Sequence, residues 1–220
     1  MLNQSSPHIK VLQYMHGDFA YFYWSEMINR KYCERHHYEY VISHEQPRDD
    51  RNVTWHKIPV IKNELNNCDY LLFVDADAHF YSHELKIEEE LIPLLKEKPL
   101  LIAQDCVKES SRWRKGLVNT GVIFMKNDVR AHELLTYWDY LSDRTPQWCW
   151  GGHYEQTAFD ESILKSSHKY VSLLHDYYLM NSPLSLYIRH YMGESLECKN
   201  KKIHEYFQQR ILKTNHHQIT

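Results

Sequence analysis

Glycine and proline are scarce, at 6 and 7 of 220 residues. That scarcity excludes long flexible tethers between modules and predicts one domain over 1–220, with its core over about 8–212. Cysteine is sparse and badly placed for cross-linking: Cys33, Cys68, Cys106, Cys149 and Cys198 are scattered, odd in number and contain no C-x-x-C. Free thiols in a reducing compartment fit this spacing better than a disulfide scaffold or a zinc site. No apolar run is long enough to cross a bilayer. The first residues, Met1-Leu2-Asn3-Gln4-Ser5-Ser6-Pro7, lack the charged start and apolar run of a signal peptide. The expectation is a cytoplasmic protein with no membrane span. An excess of one charge is absent too, with 26 basic and 29 acidic residues and a net charge of −3. Nothing in that balance points to nucleic acid or an anionic membrane surface.

Rings and apolar runs are what the chain does have. Tyrosine (17) and histidine (16) are abundant, and such rings serve sugar or base stacking as readily as core packing. Short apolar runs alternate with helical patterns. Strands are predicted over 9–15, 38–42, 71–74, 99–103, 122–125 and 171–174. Helices are predicted over 19–36 (Asp18 as its cap), 55–65 (Thr54 as its cap), 87–97, 128–141, 155–166 and 203–212. Residues 44–53, 106–117 and 143–153 read as loops, and 176–198 as irregular chain. Strand–helix alternation in the first 75 residues predicts an α/β fold, a single domain with a mixed, mainly parallel, Rossmann-like sheet flanked by helices.

The run Leu71-Leu72-Phe73-Val74 ends at Asp75-Ala76-Asp77. Residues two apart on an extended chain point the same way, so both carboxylates can share one cation beyond the strand end. Oxygen ligands of this kind suit Mg²⁺ or Mn²⁺, ions that hold a substrate diphosphate. Sheets of this type bind ligands at that edge. The alternative at this point is a solvated acidic turn after a core strand. His79 lies one step further along and is expected to face away.

Five pieces then occur in order: Trp55-His56-Lys57-Ile58-Pro59, Val74-Asp75-Ala76-Asp77-Ala78, Asn119-Thr120-Gly121-Val122, Glu155-Gln156 and His190-Tyr191-Met192-Gly193. Together they resemble glycosyltransferases of the GT-A fold, most similar to the fungal galactosyl- and mannosyltransferases and the plant xyloglucan xylosyltransferases. The resemblance covers roughly residues 8 to 195. It implies transfer of a sugar from a nucleotide-sugar donor, a UDP-sugar, to a hydroxyl of a carbohydrate or glycoconjugate acceptor, with Mn²⁺ (or Mg²⁺) as cofactor. It further implies Asp75, Asp77 and His190 as metal ligands, with Asp75 also able to bind the donor's ribose. Lys57, Asn119, Thr120, Gly121, Gln156 and Gly193 would contact the donor, and Tyr14 and His16 its base. Glu155 and Asp105 would be the catalytic carboxylates: general bases if the anomeric configuration inverts, cation-stabilising or hydroxyl-binding groups if it is retained. Trp148 and Trp150 are candidates for stacking on an acceptor. Two other functions use the same Asp-x-Asp: a Mg²⁺-dependent phosphoryl-transfer or hydrolase enzyme, and a non-catalytic nucleotide-sugar-binding module.

Overall fold

The computed structural model describes residues 6–105, 118–144, 154–175 and 178–212. The first half follows the alternation of the sequence: β1 (Ile9–Tyr14), α1 (Ala20–His36), β2 (Glu39–Ser43), α2 (Lys57–Leu65) and β3 (Tyr70–Asp75). β1 lies between β2 and β3 and is parallel to both. Every residue of β1 is buried, as expected for a strand with helices on both faces.

Next come β4 (Ala78–Phe80), α3 (Ile87–Glu90), α4 (Ile92–Leu95), β5 (Leu100–Gln104), β6 (Val118–Lys126), α5 (Val129–Arg144), α6 (Tyr154–Ala158) and β7 (Val171–Leu174). α6 continues through a wider turn (Phe159–Leu164) and a last helical turn (Lys165–Ser167). The main sheet has six strands in the order β2-β1-β3-β6-β5-β7. β6 runs antiparallel to both its neighbours, and β5 pairs parallel with β7. The sheet is therefore mixed but mainly parallel. Because β6 is reversed, it begins at the edge where β3 ends.

At that edge β6 departs from regular pairing. Ile102 of β5 faces Ile123, but the next residue, Ala103, faces Asn119. Thr120, Gly121 and Val122 thus bulge away from β5, and bulges of this kind re-aim side chains beside functional sites. A second sheet joins β4 to β8 (Ile188–His190) in antiparallel register, with Ala78 opposite His190. α7 (Leu196–Phe207) closes the described chain against α1, through Tyr21, Ile28, Tyr191, Ile203 and Phe207.

The two-residue period of β3 divides the core. Leu71 and Phe73 join the layer beneath α2 and α5, with Trp55, Ile61 and Trp138. Leu72 and Val74 join the opposite layer with Tyr32, Phe80, Tyr187 and Ile188. Burying each such side chain contributes about 1.5–3 kcal/mol, and β3 contributes to both layers. Among the described residues no helix is long and apolar enough to cross a membrane.

Several local expectations change. The helix over 87–97 is two short helices, because Pro93 has no N–H and its ring crowds the preceding turn. The chain leaves it with Lys96 and Glu97 at φ of 50° and 65°. Asp18 does not cap α1; Phe19 holds that position without a side-chain bond. Asn52, not Thr54, caps the 3₁₀ turn (Val53–His56) that leads into α2, its Oδ1 accepting from the Thr54 N–H at 3.1 Å. The last helix starts at Leu196 rather than near 203, with Ser195 Oγ accepting from the Cys198 N–H at 3.2 Å. β8 forms inside the stretch expected to be irregular, because β4 supplies its partner.

Asn52→Ala leaves the Thr54 N–H without its side-chain acceptor. Urea unfolding should show a loss of about 1 kcal/mol, with an unchanged denaturant slope.

Candidate active site

Asp75 is the last residue of β3, Asp77 sits in the turn before β4, and His190 ends β8. The Ala78–His190 register brings the histidine to the aspartates across more than a hundred residues. The backbone N–H of Tyr191 donates to the Asp77 carbonyl at 3.2 Å and secures the turn. One ligand atom from each of Asp75, Asp77 and His190 lies within 4.8 Å of the others. His190 Nε2 is 3.1 Å from Asp77 Oδ1 and 3.7 Å from Asp75 Oδ2.

The donor set fits a divalent cation. Asn181 Nδ2 donates to the Asn119 carbonyl at 2.7 Å, which turns its Oδ1 to His190 Nδ1 at 2.9 Å. An oxygen there requires the proton on Nδ1. In the neutral ring the Nε2 lone pair is then aimed at two carboxylates, three electron-rich groups meeting as metal ligands do. Gly121 makes room for this ring: a Cβ there would stand 2.0 Å from His190 Cε1.

Lys57 lies beneath Asp75 and is only 4% exposed. Its Nζ is 3.0 Å from Asp75 Oδ1 and 3.1 Å from Glu155 Oε1, and it donates to the Thr120 carbonyl at 3.3 Å. Burial alone would lower the Lys57 pKa, but the two carboxylates hold it above the usual lysine range. Burial would likewise push the Glu155 carboxyl up; the Lys57 charge and the Thr120 hydroxyl, which donates at 2.9 Å, hold it below its ordinary value. Gln156 Oε1 accepts from the Thr120 N–H at 3.2 Å. The bulge in β6 is what lets Thr120 meet both residues of the first turn of α6.

Asp77 has a second cationic partner, Lys199 on α7, with Nζ 2.6 Å from Oδ2. Burial would raise the Asp77 carboxyl, but the His190 ring in its protonated form, with no cation bound, and the Lys199 ammonium hold it well below the carboxylate range. Asp105 follows β5 and is partly exposed; its Oδ1 accepts from Asn119 Nδ2 at 3.4 Å. Asn119 also touches the Met192 sulfur, and its Oδ1 accepts from the Gly121 N–H at 2.9 Å.

The structure thus brings together Asp75, Asp77, His190, Lys57, Thr120, Gly121, Glu155, Gln156, Asn119 and Asp105. Gly193 stands at φ 66°, with open space where a Cβ would be. Tyr14 ends β1 and bonds elsewhere, its hydroxyl donating to the Glu45 carbonyl at 3.1 Å and its ring 5.3 Å from His56. His16 is exposed in the turn before α1. His79 faces away as expected: Nδ1 bonds the Phe80 carbonyl at 3.0 Å and Nε2 meets the Tyr191 hydroxyl at 3.3 Å, while burial pushes its pKa down to about 4. Trp148, Trp150 and the loop 106–117 lie outside the described residues.

Asn181 and Lys199 were missing from the sequence reading. Asn181 carries no motif and acts through its position, buried at φ 77°. Lys199 lies in the first turns of α7, which the helical pattern alone places too late.

The Glu155 carboxyl titrates lower in the folded chain than in the unfolded one. Its contribution to stability is present above the ordinary glutamate value, about 4.3, and is lost as pH falls through the folded value. Unfolding free energies measured from pH 7 down to about pH 3 should fall more steeply for the native chain than for Glu155→Gln. Equal slopes would mean that the Lys57–Glu155 pair adds nothing to stability.

Residues 23–206 match the galactosyl transferase GMA12/MNN10 family, a span that contains Asp75, Asp77, His190, Lys57, Glu155 and Lys199. The fold is similar to the crystal structure of a glycosyltransferase involved in the glycosylation of the major capsid of PBCV-1, with a TM-score of 0.72 over 90% of this chain and 100% of that one. At 16% identity that likeness shows a shared glycosyltransferase fold. No curated protein matches the sequence. With most of its length inside the family match, the chain belongs to the galactosyl transferase GMA12/MNN10 family of glycosyltransferases.

Proposed function

We propose that the chain transfers a sugar from a nucleoside-diphosphate donor, a UDP-sugar, to a hydroxyl of a carbohydrate or glycoconjugate. In this reading Asp75, Asp77 and His190 hold a divalent cation, Mn²⁺ or Mg²⁺. The observation that carries it is the convergence of those three side chains on one point at the ligand-binding edge of the sheet.

Charge supports this reading. Asp75, Asp77 and Glu155 carry three negative charges, and Lys57 and Lys199 carry two positive ones. With His190 neutral the cluster sums to −1 and would repel a diphosphate; a divalent cation changes the sum to +1. When bound, that ion neutralises negative charge growing on the departing diphosphate. Lys57 holds Asp75 in place from below, Lys199 holds Asp77 and Asn181 holds His190, so the ligands are positioned before donor arrives.

The remaining roles follow from exposure. Glu155 is buried and shared between Lys57 and Thr120, which suits it to holding Lys57 rather than to taking a proton from an acceptor. Asp105 is a partly exposed carboxylate at this edge and, unlike Asp75, is not paired with Lys57, and we assign it to a sugar or acceptor hydroxyl. Asn119, beside Asp105, and the open backbone at Gly193 suit donor contacts, and Tyr14 and His16 at the end of β1 suit the base. A phosphoryl-transfer mechanism would need an aspartate free to attack. Asp75 and Asp77 are each clamped by a lysine, which favours the glycosyl-transfer reading.

Incubation with UDP- and GDP-sugars should release free sugar and nucleotide in the presence of Mn²⁺. EDTA should stop the release, Mn²⁺ should restore it, and Asp77→Ala should abolish it. Turnover that persists unchanged after chelation would remove the metal role. Asn181→Ala leaves all three ligands in place but frees the His190 ring, and should raise the Mn²⁺ concentration for half-maximal activity by about 10- to 100-fold.

A further inference from the structure

The Asp77 carboxylate has two claimants. Its Oδ1 lies 3.1 Å from His190 Nε2, on the side where the three ligand atoms converge. Its Oδ2 accepts from Lys199 Nζ at 2.6 Å. The Asp77 side chain is 10% exposed and that of Lys199 18%, so little water screens the pair. A divalent cation drawn to Asp75, Asp77 and His190 would stand one carboxylate away from the ammonium. Like charges placed so close, with so little solvent between them, repel strongly.

The two lysines of the site differ in what they can do about this. Lys57 is enclosed by Asp75, Glu155 and the Thr120 carbonyl, which come from three elements. Lys199 keeps partial access to solvent and has a second partner at hand. Its ammonium stands over the Tyr21 ring, 5.8 Å from the centroid, within reach of a cation–π attraction. Phe19 stacks on Tyr21 at 5.7 Å and Phe22 meets its edge at 4.9 Å, which holds the ring in place. Burial, with Asp77 and Asp75 nearby, pushes the Tyr21 hydroxyl up, so the ring carries no charge of its own near pH 7. The helix that bears Lys199 is anchored by other residues. Ile203 and Phe207 pack against Ile28 of α1, Trp24 stacks on His204 at 4.3 Å, and Lys202 meets Glu194 at 2.7 Å. The flexible Lys199 stem can therefore swing while α7 stays where it is.

We propose that Lys199 is a displaceable counter-ion: a positioning residue that holds Asp77 until a divalent cation takes the carboxylate, and then passes to the Tyr21 ring and solvent. This rests on the reading of Asp75, Asp77 and His190 as cation ligands. Lys199 thereby orients Asp77 in advance and also sets a threshold for the cation. Each binding event must displace the ammonium, and a ligand that binds only the released form has its apparent affinity lowered in proportion.

Mn²⁺ binding followed by electron paramagnetic resonance, with no donor and no turnover, tests this. The native chain should bind Mn²⁺ saturably. Lys199→Met should tighten that binding about tenfold or more, and Lys199→Arg, which keeps the charge, should remain weaker than the methionine variant. Circular dichroism confirms that each variant is folded. A second measurement acetylates lysines with and without Mn²⁺ and reads the modified positions by mass spectrometry. Acetylation of Lys199 should rise about threefold or more when Mn²⁺ binds, with the exposed Lys201 unchanged as internal reference. Equal affinity in the native and methionine chains, weaker binding in a folded methionine chain, or Lys199 acetylation indifferent to bound Mn²⁺ would each overturn the proposal and leave the cation reading standing. Absence of Mn²⁺ binding in both chains would overturn the two together.

Discussion

An ammonium removed from water costs several kcal/mol unless carboxylates meet it. Lys57 is such an ammonium, and Asp75 and Glu155 meet it at 3.0 and 3.1 Å. Four elements converge on that one charge: α2 supplies it, β3 and α6 supply the carboxylates, and β6 supplies the Thr120 carbonyl. A shift of α2 alone would separate the buried Lys57 from both carboxylates, and a shift of α6 alone would leave the buried Glu155 without its cation. The carboxyl edge of the sheet is thereby held in place, with Asp75 oriented by Lys57.

A steric constraint completes the arrangement from the other side. His190 reaches the aspartates only because β8 pairs with β4 and because Gly121 has no side chain to meet its ring. Asn181 then decides which ring nitrogen faces inward. The reversed strand β6 serves both halves. Its bulge turns Thr120 toward Glu155 and Gln156, and its glycine clears the space for His190. The antiparallel insertion in an otherwise parallel sheet is thus part of how the site is built.

Much of this was legible in the residues. The apolar run 71–74 followed by Asp75 and Asp77 announced a buried strand with two carboxylates at its end, since a two-residue period is a local property of extended chain. The parallel order of β1, β2 and β3 followed from the intervening helices. His79 facing away followed from the same period. The role of Lys57 did not follow: near a helix start it reads as a solvent lysine or a phosphate ligand, and nothing within ten residues indicates a carboxylate arriving from position 155. Pro93 was visible, but a helix was still expected to run through it. Asn181, Lys199 and β8 left no local trace, because each depends on a contact from distant chain: Asn119 fixes the Asn181 amide, Asp77 meets Lys199, and β4 pairs with β8.

The sequence by itself determined the class of fold and the placing of the Asp-x-Asp at the carboxyl edge of the sheet. These depend on hydrophobic period and residue type, which act over a few residues. Only the tertiary structure decided that Lys57 is an internal counter-ion, that Glu155 is spent on holding it, that Asn181 orients His190, and that Lys199 closes on Asp77. Each is a pairing of charge or hydrogen bond, and which partners meet is set by strand order and helix packing rather than by neighbours along the chain. The Asp75-Ala76-Asp77 turn carries both kinds of information: its carboxylates are written locally, while their charge balance and geometry are set by residues that folding brings to them.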